Sequence, residues 1–136
     1  MDLSFLARPD AMGRFLVTAF FAIVFLQSAI DKLIDYEGNL SYFRDHFKGS
    51  PFPPAAVPLL LGALAAMELT AGALCAVGLV RGDFIERGMS VAAGGVITAG
   101  IALLCLLLGQ RLAKDYAGAA VVAAYFAVAV VGAILF

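Results

Sequence analysis

Charge is scarce in this sequence. Only 14% of its 136 residues are Asp, Glu, Lys or Arg, against about 25% in soluble domains. The formal net charge is −1 and no run of Lys or Arg occurs, so nucleic acid finds no electrostatic footprint here. Histidine occurs once, as His46. A haem held between two imidazoles lacks its second ligand, and a metal site built from clustered His, Cys or carboxylates lacks its parts. There is no Gly-rich phosphate loop, and no serine stands with a histidine in a nucleophile pattern. The chain therefore lacks the parts for redox or hydrolytic chemistry of its own. It brings no catalytic residue, no metal ligand set and no resident cofactor. That points to an accessory, binding or conducting role.

Cysteine is nearly absent as well. Cys75 and Cys105 both lie inside apolar stretches, near the ends of successive segments. If those segments are antiparallel neighbours, the axial gap between the thiols is about 20 Å. A disulfide allows only about 4.4–6.8 Å between Cα atoms. Both therefore read as small packing residues.

What is present is apolar residue in long runs. The hydrophobic share is 63% and the mean hydropathy is +1.00, which marks an integral membrane protein. About 20 apolar residues cross the hydrocarbon core. Four such stretches are predicted as helices, at about 12–34, 56–80, 88–108 and 116–136, forming one transmembrane domain. A polar lead with Asp2, Arg8, Pro9 and Asp10 precedes the first. The run from Phe15 outlasts a signal-peptide core and no small-x-small cleavage site follows it, which favours a span. Gly and Ala recur at spacings of three and four: Gly62, Ala65 and Gly72 in the second span, then Gly88, Ala92, Gly95, Ala99 and Ala102 in the third. Ala117, Ala120, Ala124 and Ala127 do the same in the fourth. Such strips allow close approach where lipid removes the hydrophobic drive for association. The fold class is all-α, an up-down-up-down four-helix membrane bundle.

The longest connection, 35–54, carries Tyr36, Leu40, Phe43 and Phe47 at helical spacing, with Arg44, Asp45 and Lys48 on other faces. It reads as a short interfacial helix, capped by Asn39 or Ser41 and stopped by Gly49 to Pro54. Arg8, Arg14, Arg81 and Arg87 lie on the side of the termini; Lys32, Arg44, Lys48, Arg111 and Lys114 lie on the other. Setting Lys32 and Lys114 aside as site residues tips the positive-inside balance toward cytoplasmic termini.

Glu68 is the least favourable local choice. It stands alone inside the second span, where an acidic group costs on the order of 2.5–3.5 kcal/mol on insertion scales. Gln27, Asp31 and Lys32 from the first span and Arg111 and Lys114 from the last turn lie on one side of the membrane, above it. Ser28 shares a face with Lys32. Three uses remain open for Glu68: a hydrogen-bonding link between helices, a quinone or lipid-headgroup site, and a proton or solute path.

The first span's exit, Phe25-Leu-Gln-Ser-Ala-Ile-Asp-Lys-Leu33, followed by Asp35-Tyr36-Glu37, resembles the DoxX family. So does the second span from Gly62 through Glu68-Leu69-Thr70-Ala71-Gly72 to Gly78-Leu79, with Ala71 standing where that pattern usually has a glycine. The resemblance implies a four-helix protein of the bacterial or archaeal cytoplasmic membrane. It implies a small non-catalytic subunit of a quinone-linked or redox membrane complex, with quinone as the one implied cofactor and Lys32 and Glu68 as carried-over positions. The partners expected are lipid and a larger redox complex or further copies of the chain. A small stand-alone transporter that uses Glu68 is the alternative.

The ligand count predicts that the purified chain shows no haem Soret band and no stoichiometric metal by elemental analysis. A stoichiometric haem or iron signal would overturn the accessory reading.

Overall fold

The computed structural model describes residues 3–136; Met1 and Asp2 of the polar lead lie outside the described residues. After a 3-10 turn at Leu3–Ala7 come five helices: α1 (Pro9–Ile34), α2 (Tyr36–His46), α3 (Val57–Arg81), α4 (Val91–Leu112) and α5 (Tyr116–Leu135). Four of them, all but α2, are long and apolar enough to cross a membrane. The described residues form an all-helical bundle with up-down-up-down spans. α3 lies between α1 and α4, α4 packs on α5, and α1 closes against both α4 and α5.

The ends of the helices follow local chemistry. Pro9 begins α1, where its missing N–H costs nothing. α2 starts directly after α1, because the Asp35 carboxylate accepts a hydrogen bond from the Gly38 N–H at 3.2 Å. The cap is thus Asp35 rather than Asn39 or Ser41. Ser90 caps α4, accepting from the Ala93 N–H at 3.2 Å, and the Asp83 carboxylate accepts from the Val91 N–H at 3.1 Å. That places the start of α4 at Val91, later than the predicted 88. Asp115 caps α5 in the same way through Gly118 N–H at 2.9 Å. Only Ala113 to Asp115 are left to turn the chain, with Lys114 in the left-handed region at φ 60°. Gln110 and Arg111 consequently belong to α4 and not to a loop.

Small residues set the helix contacts, though not all of those the spacing singled out. A Cβ on Gly95 would lie 2.7 Å from the Cys75 backbone nitrogen, and one on Gly78 would lie 2.6 Å from the Ala92 Cα. Only glycine permits α3 and α4 to approach this closely. Ala92, Ala99 and Ala102 on α4 are buried as expected. On α5 the expected strip is reversed: Ala117, Ala120, Ala124 and Ala127 face outward, and Ala119, Val122, Ala129 and Gly132 form the packed face. Gly62 likewise borders open space. Large apolar side chains such as Ile23, Leu59, Val80 and Ile134 point outward, as lipid requires.

α2 spends its apolar face inside the chain. Leu40 and Phe47 are buried against Val57 and Leu61 of α3, with Phe43 and Phe52 packed around them. Tyr36 remains 41% exposed, and Asp45 and Lys48 face outward. The segment is a helix, and what it covers is chiefly α3.

The side of the termini is held by Arg14, which is 1% exposed. Its Nε donates to the Phe84 carbonyl at 2.7 Å, Nη2 to the Ile85 carbonyl at 3.0 Å and to Asp10 Oδ2 at 2.9 Å, and Nη1 to the Leu135 carbonyl at 3.2 Å. One guanidinium thus ties the start of α1 to the α3–α4 turn and the end of α5. Phe5, Phe15 and Phe84 pack around it, with ring centroids 4.9–5.6 Å apart.

Arg14→Ala leaves these carbonyls without donors, and the expected loss of stability is about 3–5 kcal/mol, the cost typical of breaking a buried charged contact. Thermal unfolding in detergent measures it. Loss no greater than that of Arg8→Ala, an exposed arginine, would contradict this role.

Candidate functional site

Glu68 lies eleven residues into α3, about 16 Å from its start. It is 2% exposed. Across from it on α1 stand Ser28 and Lys32, one helical turn apart. Side chains on a helix tilt toward its N-terminus. Since α1 and α3 are antiparallel, Lys32 leans into the membrane from above while Glu68 leans upward from below. The two meet between the helices: Lys32 Nζ lies 2.9 Å from Glu68 Oε2. Lys32 Nζ donates to Ser28 Oγ at 2.8 Å, and Ser28 Oγ donates to Glu68 Oε1 at 3.2 Å. Lys32 itself is 8% exposed, so both charges are removed from solvent.

The contact is close but incompletely satisfied. Glu68 Oε2 is buried, and no aligned hydrogen-bond donor reaches it. The lysine meets it as a charge at short range, off the hydrogen-bonding direction. A carboxylate has about four lone-pair sites; here one aligned donor, the Ser28 hydroxyl, serves them.

Of the six residues expected at this site, the structure brings together Lys32 and Glu68. Gln27 and Asp31 lie on the exposed side of α1; the hydrogen bond to Glu68 comes from Ser28. Arg111 is exposed on α4, its guanidinium 4.5 Å from the centre of the Tyr116 ring. Lys114 is exposed in the α4–α5 turn. Ser28 completes the group; its signal in the sequence was the i, i+4 spacing to Lys32. Arg14 had no such signal, because an arginine at the start of a span reads as one that reaches out to the headgroups.

A second polar group sits at the same end of the bundle. His46 Nε2 lies 2.7 Å from Gln110 Oε1 and 3.9 Å from Asp115 Oδ2. The Tyr42 ring stacks on the imidazole at 5.4 Å.

The sequence model of a family described as methylamine utilisation protein MauE matches residues 11–85, more than half of the 136 residues. The chain belongs to the MauE family. No curated protein and no solved structure matches it. The MauE match covers the stretch on which the DoxX resemblance was drawn, and DoxX is not the family found. It runs through α1, α2 and α3 into the following turn. It therefore contains Ser28, Lys32, Glu68 and Arg14, and excludes α4 and α5.

Removing one charge of the pair strands the other. Lys32→Met and Glu68→Leu are each expected to destabilise the bundle by about 3–5 kcal/mol, while the double variant recovers most of that loss. A double-mutant cycle by thermal unfolding in one detergent tests this. Additive losses would mean that the two groups do not act as a pair.

Proposed function

We propose that this MauE-family chain is a non-catalytic integral membrane subunit of a quinone-linked redox complex. In it, the buried Lys32–Ser28–Glu68 group responds to a partner or ligand. The family's name ties its members to methylamine utilisation, and an amine-utilising redox system is the setting we take for this chain. The membrane is the cytoplasmic membrane of a bacterium or archaeon.

The observation that carries this reading is the under-satisfied Glu68. A buried ion pair is weak evidence for stability, since well-packed apolar residues of similar volume often serve as well or better. An ion pair retained in a lipid-spanning helix, with one carboxylate oxygen met by the lysine's charge and not by an aligned donor, is better explained by use. Ionisable groups within spans mark sites by default. The pair carries no net charge, so the bundle tolerates it at rest. An approaching donor, or a proton, that binds Glu68 would release Lys32 toward the membrane surface, where its ammonium can reach water. The resulting movement of charge at the α1–α3 contact is what a larger partner could sense.

Exposed cations stand on both sides of the bundle. Arg14 and Lys32 are both buried, which leaves Arg8, Arg81 and Arg87 exposed on one side and Arg44, Lys48, Arg111 and Lys114 on the other.

Glu68→Gln keeps shape and hydrogen bonding and removes ionisation. It is expected to insert and fold, with a lower melting temperature because Lys32 is left unpaired, to leave quinone-linked activity of the assembled complex at a small fraction of wild type, and to weaken copurification of the redox enzyme in mild detergent. A fully active Glu68→Gln would end this reading. Solute uptake by the chain alone in proteoliposomes, abolished by Glu68→Gln, would replace it with the stand-alone transporter.

A further inference from the structure

A cavity of about 370 Å³ lies between α2, α3 and α4, on a different face of α3 from the Lys32–Glu68 contact. The volume is within the usual range for small-molecule sites. Its depth is set by α3, from Leu60 down to Met67, about 10 Å along the helix. Its roof is α2 with the residue that follows it, which together supply Tyr42, His46 and Phe47.

Three features limit what could occupy it. The inner wall is aliphatic, and the upper wall is made of stacked rings. The polar end holds a donor and an acceptor together, His46 Nε2 and Gln110 Oε1, which face each other at 2.7 Å. No Lys or Arg lines the cavity, so nothing there neutralises a phosphate. The rim includes Tyr42, 60% exposed, and Leu108, 59% exposed, together with the exposed Cys105. All of these are exposed on the outer surface of the bundle.

The geometry points to a binding site for an uncharged, membrane-soluble ring that carries a hydrogen-bonding oxygen and an apolar tail, the chemical class of quinones and quinols. The ring stacks beneath Tyr42 and Phe47. Its oxygen takes over the hydrogen bond that His46 and Gln110 now make to each other. The tail runs down past Leu64 and Met67 or out over Leu108 into the bilayer. A phospholipid is disfavoured by the lack of a cation at the polar end. The inference rests on the membrane reading and not on the identity of any partner complex.

Cys105 supplies the assay. It lines the cavity, while Cys75 is fully buried in the α3–α4 contact. The purified chain is placed in nanodiscs of zwitterionic lipid, and alkylation of Cys105 by N-ethylmaleimide is followed by mass spectrometry. The probe is decylubiquinone, whose fully substituted ring does not itself alkylate thiols. Decanol and dioleoylphosphatidylglycerol are the comparisons. Decylubiquinone is expected to slow the alkylation in a saturable way, and neither comparison to do so at equal concentration. His46→Phe keeps the stack on Tyr42 and removes the ring nitrogens; the half-protecting concentration is expected to rise about fivefold, the value of one hydrogen bond. Ala63→Phe, which fills the cavity, should abolish protection. Equal protection by decanol would make this a slot for any apolar chain, and protection by phosphatidylglycerol would make it a lipid site. No protection, or a His46→Phe curve matching wild type, would also overturn the assignment. Because the chain is tested alone, these outcomes are independent of whether Glu68→Gln impairs a complex. If a variant fails to fold, the wild-type comparison of decylubiquinone with decanol still decides.

Discussion

The cost of placing charge where water is scarce governs this bundle, and α1 meets that cost twice. Near its start Arg14 is buried among backbone carbonyls; near its end Lys32 is buried against Glu68. Each cation is held in part by groups outside α1. α1 therefore cannot slide or rotate without exposing a charge to hydrocarbon. In lipid, apolar surface gives little reason for one packing over another, because the solvent is as apolar as the side chains. The two buried cations supply the specificity that hydrophobic contact cannot, fixing α1 against α3 at one end and against the α3–α4 turn and α5 at the other.

Close contact adds the second constraint. At Gly95 and Gly78 the backbones of α3 and α4 approach within a distance that excludes any side chain. This fixes α4 against α3, and the cavity lies between those two helices and α2. α2 then covers the exposed start of α3 with Leu40 and Phe47, and in doing so brings His46 over Gln110. The polar cluster at the cavity's end follows from how α2 docks.

Much of the architecture was legible from residue order. Apolar run length gave the four spans, and the spacing of Tyr36, Leu40, Phe43 and Phe47 gave α2. The errors share a physical cause. α5 is rich in Ala and Val all round, so its periodicity offers two equivalent stripes and only its neighbours decide between them. The start of α4 and the length of the α4–α5 turn depend on Ser90 and Asp115 as caps, signals weaker than the apolar runs beside them. At the site, Glu68 was visible as a lone charge in a span, and Lys32 as a basic residue near a helix end. Gln27 and Asp31 shared a face with each other, but that face turns outward. Arg111 and Lys114 could have leaned over the bundle, yet Arg111 finds the Tyr116 ring instead. Long side chains have many reachable partners, and sequence spacing does not choose among them.

The two buried cations differ in a way that separates structure from use. Arg14 directs its guanidinium at three carbonyls and a carboxylate, each within 3.2 Å. Its carbonyl partners lie at a helix end and in a turn, where carbonyls need donors. Every group in that cluster is better off for the contact, so the arrangement is complete and resists change. The Lys32–Glu68 contact has the opposite character. The carboxylate is buried with one aligned donor, and the facing oxygen is served only by proximity of charge. A site under no demand but stability would relax toward full satisfaction or be replaced by apolar residues. Both groups stand in the same helix, under the same cost of burial, and only one is finished by the protein's own atoms. The unfinished one is the contact on which the proposed function rests.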